Sequence, residues 1–150
     1  MGYYMRFFDT STQTLNLCDV NSALRQIDPA YRVEIVPETD ALQGELHYGD
    51  GLYGEIEINQ PGDGLFDEEI QEQLESLEDT VDGDPTPVSE TLRAARRSIV
   101  VRVLSQGRDS QDTLVRIDPL WLWLFESRSG LLQADGEGFY NSQGLVLELN

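Results

Sequence analysis

The segment Ser98-Ile-Val-Val-Arg-Val-Leu104 decides the predicted fold, because its β-branched side chains are typical of a strand in the centre of a sheet. A Gly- and Pro-containing loop at 81–87 and a helical pattern from Val88 to Arg97 precede it. An amphipathic helical pattern follows within residues 107–128, where Asp118-Pro119 is placed to kink or restart the helix. The surrounding sequence therefore predicts a buried strand between two helices.

Strand and helix signals continue on both sides of this segment. Aromatic residues, or apolar residues alternating with polar ones, predict strands at Tyr3–Phe8, Tyr31–Val36, Glu45–Tyr48, Leu52–Ile58, Leu131–Ala134 and Gly144–Leu149. The loop Gly49-Asp50-Gly51 predicts a hairpin between the third and fourth of these strands. Apolar spacings of three and four residues predict two more helices, from Asp19 as N-cap to Ile27 and from Asp63 as N-cap to Val81.

The order of these signals predicts an α+β fold in one domain spanning residues 1–150. Hairpins outnumber single crossovers, so we expect a mixed, largely antiparallel sheet with three to four helices packed on it. A ferredoxin-like arrangement is one option within this class. A chain of this length buries about 68–70% of the surface that its unfolded form exposes, which allows a core without disulfides.

The net charge is concentrated in one segment. The chain has 28 acidic residues, ten arginines and no lysine, which gives a formal charge of −18. Residues 33–92 hold eighteen of the acids and no arginine, so this segment carries −18 and the remainder is balanced. Phosphate backbones and anionic lipids attract lysine and arginine, so we expect no nucleic acid and no membrane as partners. The lone Cys18 and the short apolar run Leu120–Phe125 predict a cytoplasmic protein without a membrane span.

Missing residue types exclude several kinds of catalytic site. Without lysine there is no Walker A site, no Schiff base and no Ser-x-x-Lys acylase. His47 is the only histidine, so a nucleophilic Cys–His pair requires the fold to bring it to Cys18. An EF-hand loop starting at Asp82 fails because Pro87 stands where glycine is needed, although loose divalent binding within 79–84 stays open. The sequence predicts no catalytic residue, no cofactor and no defined metal site.

One helix is predicted to present an acidic surface. With Ile70 pointing inward, a period of 3.6 residues places four carboxylates outward, and we call them the acidic ridge: Glu68, Glu72, Glu75 and Asp79. Like charges three or four residues apart destabilise a helix by a few tenths of a kcal/mol each, so the ridge suits a cationic neighbour. Arg93, Arg96 and Arg97 have helical spacing on the next helix, where they would complement the ridge internally, hold phosphate or meet an acidic protein.

The apolar run Leu120–Phe125 is a second candidate surface. A helix that is apolar on every side must be covered on several sides. Either the sheet and another helix cover this run, or Leu122 and Trp123 stay exposed and contribute to a homodimer.

These observations favour a non-catalytic binding or accessory module that presents an acidic face to a basic protein partner. In composition the chain is similar to small acidic bacterial proteins that neutralise a basic partner, although it carries no diagnostic motif. Two alternatives remain open. The first is a structural or housekeeping protein whose acidity serves solubility, and the second is an enzyme that uses carboxylates or a divalent metal.

Overall fold

A single eight-stranded sheet organises the chain in the computed structural model, which describes residues 2–80 and 83–149. The strands are β1 (Tyr3–Asp9), β2 (Tyr31–Ile35), β3 (Gln43–Tyr48), β4 (Gly51–Asn59), β5 (Arg97–Val103), β6 (Gly130–Ala134), β7 (Gly138–Asn141) and β8 (Gly144–Glu148). The helices are α1 (Leu17–Ile27), α2 (Leu65–Ser76), α3 (Thr86–Ala94) and α4 (Ser110–Ser127), and a 3-10 turn (Leu77–Asp79) follows α2.

The strand order is β2-β3-β4-β5-β1-β6-β7-β8, and every described neighbouring pair is antiparallel. The predicted α+β single-domain fold is confirmed. The central position of β5, between β4 and β1, is also confirmed, and its first five residues are buried. The ferredoxin-like option is not confirmed, because the sheet has eight strands and α2 and α3 separate β4 from β5 along the chain.

Helices pack on both faces of the sheet. On one face, α1 and α4 contact each other and cover the larger core, which includes Leu24, Leu124 and the inward residues of β1 and β5. On the other face, a smaller core holds α2, α3 and the 3-10 turn through Phe8, Phe139, Leu147 and their neighbours. Because α2 and α3 lie over β1, β5 and β6, part of this second face over β2, β3 and β4 stays open to solvent.

The helix ends differ from the predictions where local hydrogen bonds decide them. Helix α1 begins two residues before Asp19: Asn16 is its N-cap and accepts from the Asp19 backbone, while the Asp19 carboxylate accepts from the Asn16 backbone. This reciprocal pair is a capping box. Helix α2 ends at Ser76, short of the predicted end at Val81, which lies outside the described residues. Asp63 does help to begin α2, since its side chain accepts from the Phe66 backbone although Gly64 is the N-cap.

Helix α4 runs without interruption through Pro119, so of the two predicted outcomes at Asp118-Pro119, a kink or a restart, the restart does not occur. A proline removes the hydrogen bond to the carbonyl four residues earlier, here that of Val115. Val115 is exposed, whereas Ile117, Leu120 and Leu124 are buried against the sheet. Burial on one side therefore holds the helix together where the missing bond lies toward solvent.

Two strand connections also differ from the sequence predictions. Tyr48 pairs with Gly51, so the hairpin between β3 and β4 has a two-residue loop. A bulge at Leu46/His47 then shifts the register, so that Glu45 pairs with Glu55. At the C-terminal side, β7, which the sequence pattern does not predict, lies between β6 and β8 and completes a three-stranded meander.

A buried ion cluster joins β1, β5 and the end of α4. The Asp9 side chain is fully buried, and it accepts from Nη1 of Arg97 at 2.5 Å and from Nη1 of Arg128 at 2.7 Å. Arg97 is therefore the first residue of a strand, opposite Asp9, and the predicted helix through Val88–Arg97 ends early, at Ala94.

Candidate functional site

Three glutamates lie directly opposite one another across the open part of the sheet. The register pairs Glu34 on β2 with Glu45 on β3, and Glu45 with Glu55 on β4. We call Glu34, Glu45 and Glu55 the glutamate row. The same line of pairs continues to Arg102 on β5 and to Tyr4 on β1. Opposed residues in an antiparallel sheet share a face, so these five side chains lie side by side.

Basic groups at both ends compensate part of the charge of the glutamate row. Arg102 Nη1 donates to Glu55 Oε1 at 2.6 Å, and Arg32 Nε lies 3.5 Å from Glu34 Oε1. His47 Nε2 lies 2.9 Å from Glu34 Oε2 and 3.2 Å from Glu45 Oε1. Like charges directly opposite each other destabilise a sheet, on the scale of roughly 0.2–1 kcal/mol per pair. The row is thus a place where a further cation would be stabilised.

A groove of about 280 Å³ runs beside the glutamate row. Its wall includes Glu45, Glu55 and Glu57, and Arg102 is the basic residue among its lining side chains. Tyr4 adds an aromatic ring at the β1 side. Three carboxylates against one guanidinium give the groove an acidic character, and the aromatic ring gives it an apolar surface beside that charge.

The acidic ridge lies on the same side of the sheet as this groove. Glu68, Glu72 and Glu75 are exposed on α2, and Asp79 is exposed at the end of the 3-10 turn. Glu75 accepts a hydrogen bond from Gln71, and within residues 2–80 and 83–149 none of the four carboxylates forms an ion pair. Their negative charge is therefore directed to solvent.

The inner side of α2 carries a further glutamate that fixes the helix to the sheet. Glu69 accepts from Arg6 Nε at 3.0 Å and from Ser98 Oγ at 2.5 Å, and Arg6 also pairs with Asp135 at 2.8 Å. Burial raises the pKa of Glu69 above its usual range, against the lowering effect of Ser98 and Arg6. The network positions the acidic ridge.

The three arginines after the ridge do not form the helical surface that their spacing predicts. Arg93 is exposed on α3, but α3 ends at Ala94 and the Arg96 backbone N–H donates to the carbonyl of Asp9. Arg97 is buried in the ion cluster with Asp9. Pairing with β1 draws the chain into an extended conformation, which separates these side chains.

Leu122 and Trp123 lie at a groove between α1 and α4. Leu122 is 61% exposed and Trp123 is half-buried, while Leu120, Trp121 and Leu124 are buried. The apolar run is therefore divided between core and surface. Ile27 on α1, 54% exposed, lines the same groove of about 520 Å³ as Leu122 and Trp123.

The structure separates the one candidate nucleophilic pair. Cys18 is exposed on α1, which packs on one face of the sheet, whereas the His47 side chain contacts Glu34 and Glu45 on the other face. Asp84 accepts from the Thr86 backbone beside the start of α3, and Asp82 lies outside the described residues. No helix in the described ranges is long and apolar enough to cross a bilayer.

The glutamate row and its contact with His47 were not identified from the sequence. Alternation in Tyr31–Val36 and Glu45–Tyr48 already implied that Glu34, Glu45 and His47 point away from the core. What the pattern lacked was the register between strands, which decides which outward side chains are neighbours.

Comparison of the chain with protein-family models, with curated proteins and with solved structures gives no match.

Proposed function

We propose that this protein is a non-catalytic binding module that presents an acidic face to a basic protein partner. The acidic face consists of the acidic ridge and the neighbouring groove with the glutamate row. The observation that carries the proposal is the group of ridge carboxylates, which have no ion pair in the described structure and lie on the same side as the groove.

The physical basis is complementary charge. Ridge carboxylates repel one another in the free protein, and a basic surface placed over them replaces repulsion with attraction. Interactions between exposed charges weaken as salt screens them, so such a complex should form rapidly and weaken with ionic strength. The exposed, unpaired Cys18 suits a reducing compartment, and we propose a cytoplasmic location on that basis.

Changing Glu68, Glu72 and Glu75 together to Gln is expected to weaken binding of a fluorescent arginine-rich peptide about tenfold, or about 1.4 kcal/mol. Removing three like charges from one surface lowers the local potential that attracts the peptide. Fluorescence anisotropy at two salt concentrations measures the affinity, and the difference between wild type and variant should shrink at the higher concentration.

The matched control removes the same charge elsewhere, by Asp112→Asn, Glu126→Gln and Glu148→Gln. These three residues are exposed and lie outside the acidic face. The control should bind the peptide within about twofold of wild type, because exposed charges beyond a Debye length of about 8–10 Å are largely screened. Equal weakening by both triple variants would mean that only the net charge matters, as in the solubility alternative, and would refute the proposed face.

A second proposal is self-association through Leu122 and Trp123. Two exposed apolar side chains, Leu122 and Ile27, line one groove between α1 and α4. Both helices lie outside the acidic segment 33–92, in the part of the chain whose charges balance. Two copies can therefore approach through this surface with less repulsion than through the acidic face.

Leu122→Asp is expected to weaken the dimer at least tenfold while leaving the fold intact, because the side chain is largely exposed. Light scattering after size-exclusion chromatography, over a range of loading concentrations, measures the molar mass. Leu65→Asp is the control, since Leu65 is equally apolar and 58% exposed but lies on α2. A wild type that stays monomeric at every concentration, or a Leu65→Asp variant that dissociates equally, contradicts the proposal.

A further inference from the structure

Three side chains with metal-binding atoms converge on β2 and β3. His47 Nε2 lies 2.9 Å from Glu34 Oε2 and 3.2 Å from Glu45 Oε1, and the three ligand atoms all lie within 4.8 Å of one another. The imidazole is held tightly, since the His47 side chain is only 14% exposed. Both glutamates are about half exposed, so they remain free to adjust.

The separations between these atoms suit a small cation. Zinc binds histidine nitrogen and carboxylate oxygen at about 2.0–2.2 Å, which places neighbouring ligands of a tetrahedral site roughly 3.3 Å apart. The two distances from His47 Nε2 to the glutamate oxygens are already close to that value. The third distance joins the carboxylate oxygens of Glu34 and Glu45. A rotamer adjustment of either exposed side chain would bring it within the same range.

The charges around the cluster favour a divalent ion over an empty site. Glu34 and Glu45 are opposed directly, and Glu55 follows Glu45 in the same row. Of the basic groups that face them, Arg102 pairs with Glu55, and Arg32 is 3.5 Å from Glu34. Glu45 contacts neither arginine in the described structure, and its neighbouring basic group is the His47 ring. A divalent cation would relieve the remaining repulsion.

We propose that Glu34, Glu45 and His47 form a binding site for a borderline divalent transition-metal ion, with Zn²⁺ as the type. Imidazole is a ligand for zinc and its first-row neighbours, whereas calcium and magnesium take oxygen ligands. Three protein ligands leave at least one position for water. The ion would link β2 to β3 at the edge of the sheet. This site does not depend on the proposed partner-binding function.

The single histidine gives a direct test. After removal of any affinity tag, Zn²⁺ is titrated into ¹⁵N-labelled protein and the imidazole nitrogen signals are followed, because every such signal comes from His47. We expect a saturable change with one equivalent of Zn²⁺, reversal by EDTA, and no comparable change with Ca²⁺. Calorimetry with Zn²⁺ alone gives the affinity.

Variants distinguish this site from general attraction of cations to an acidic surface. Glu45→Gln should weaken Zn²⁺ binding at least tenfold, and His47→Gln should weaken it similarly by calorimetry. Glu55→Gln is the matched control: it removes the same charge from the same row, but Glu55 is paired with Arg102 and supplies no ligand atom to the cluster, so it should change the affinity less than about threefold. Unchanged His47 signals at saturating Zn²⁺, or equal weakening by Glu55→Gln and Glu45→Gln, would overturn the proposal.

Discussion

Replacing Asp9 with Asn is expected to lower the free energy of unfolding by about 3–5 kcal/mol, the range found when one partner of a buried ion pair is removed. The Asp9 carboxylate is fully buried between Arg97 and Arg128, whose side chains are each only 7% exposed. An asparagine of the same size fills the space but carries no charge. Two guanidinium groups would then stay buried without a counter-ion.

The effect should be large because Asp9 joins three separate parts of the chain. It lies at the end of β1, Arg97 begins β5, and Arg128 caps the C-terminal end of α4. The two arginines also donate to backbone carbonyls of the loop after β1, at Ser11, Gln13 and Thr14. Disturbing the carboxylate therefore loosens the loop as well as the strand pairing.

Urea denaturation followed by circular dichroism measures this loss of stability. The control is Glu55→Gln, which breaks the half-exposed ion pair between Glu55 and Arg102, and an exposed pair contributes only about 0–1 kcal/mol. A loss for Asp9→Asn no larger than that for Glu55→Gln would show that water reaches the cluster and that the arginines are not truly buried.

The ion cluster around Asp9 shows which part of the fold could not be predicted from the sequence. The type and order of most elements could be predicted from local periodicity, because a half-buried strand alternates and a surface helix repeats every three to four residues. The same periodicity predicts a helical position for Arg97, since Arg93, Arg96 and Arg97 have helical spacing. Its pairing with Asp9, 88 residues away, depends on which strands become neighbours. No local pattern contains that information.

One part of the candidate site could likewise be predicted from local sequence patterns, and the other part could not. Exposure of Glu68, Glu72 and Glu75 followed from one helical period and the position of Ile70, and all three are exposed in the structure. The glutamate row required the register of β2, β3 and β4, including a bulge that could not be predicted. Local helical periodicity therefore predicts the ridge, whereas the neighbouring groove depends on the tertiary structure.

The position of the acidic ridge depends on the smaller of the two cores. Helix α2 has few apolar anchors: Phe66 is buried, but Ile70 and Leu74 are only partly buried against the cluster around Phe139. Phe139 itself is fully buried and its ring centre lies 6.5 Å from that of Phe8 on β1. We expect Phe139 to hold α2 and α3 on the sheet.

Phe139→Ala is therefore expected to lower the free energy of unfolding by about 3–5 kcal/mol, because truncation of a buried phenylalanine loses its burial and leaves a cavity. The loss should be uneven. Helices α2 and α3 rest on the smaller core that contains Phe139, whereas α1 and α4 rest on the larger core across the sheet. Local opening of α2 and α3 should then become easier than opening of the whole domain.

Native-state hydrogen exchange resolves this difference helix by helix, with urea denaturation giving the global value. Amides of α2 and α3 should lose more protection than those of α1 and α4 under the same conditions. Leu65→Ala serves as the control, because Leu65 lies on α2 but is 58% exposed and should change stability by no more than about 0.5 kcal/mol. Equal loss of protection in all four helices would mean that the two cores unfold as one unit. In that case the acidic ridge would be as firmly placed as β5, and its binding of a basic partner would not be sensitive to the smaller core.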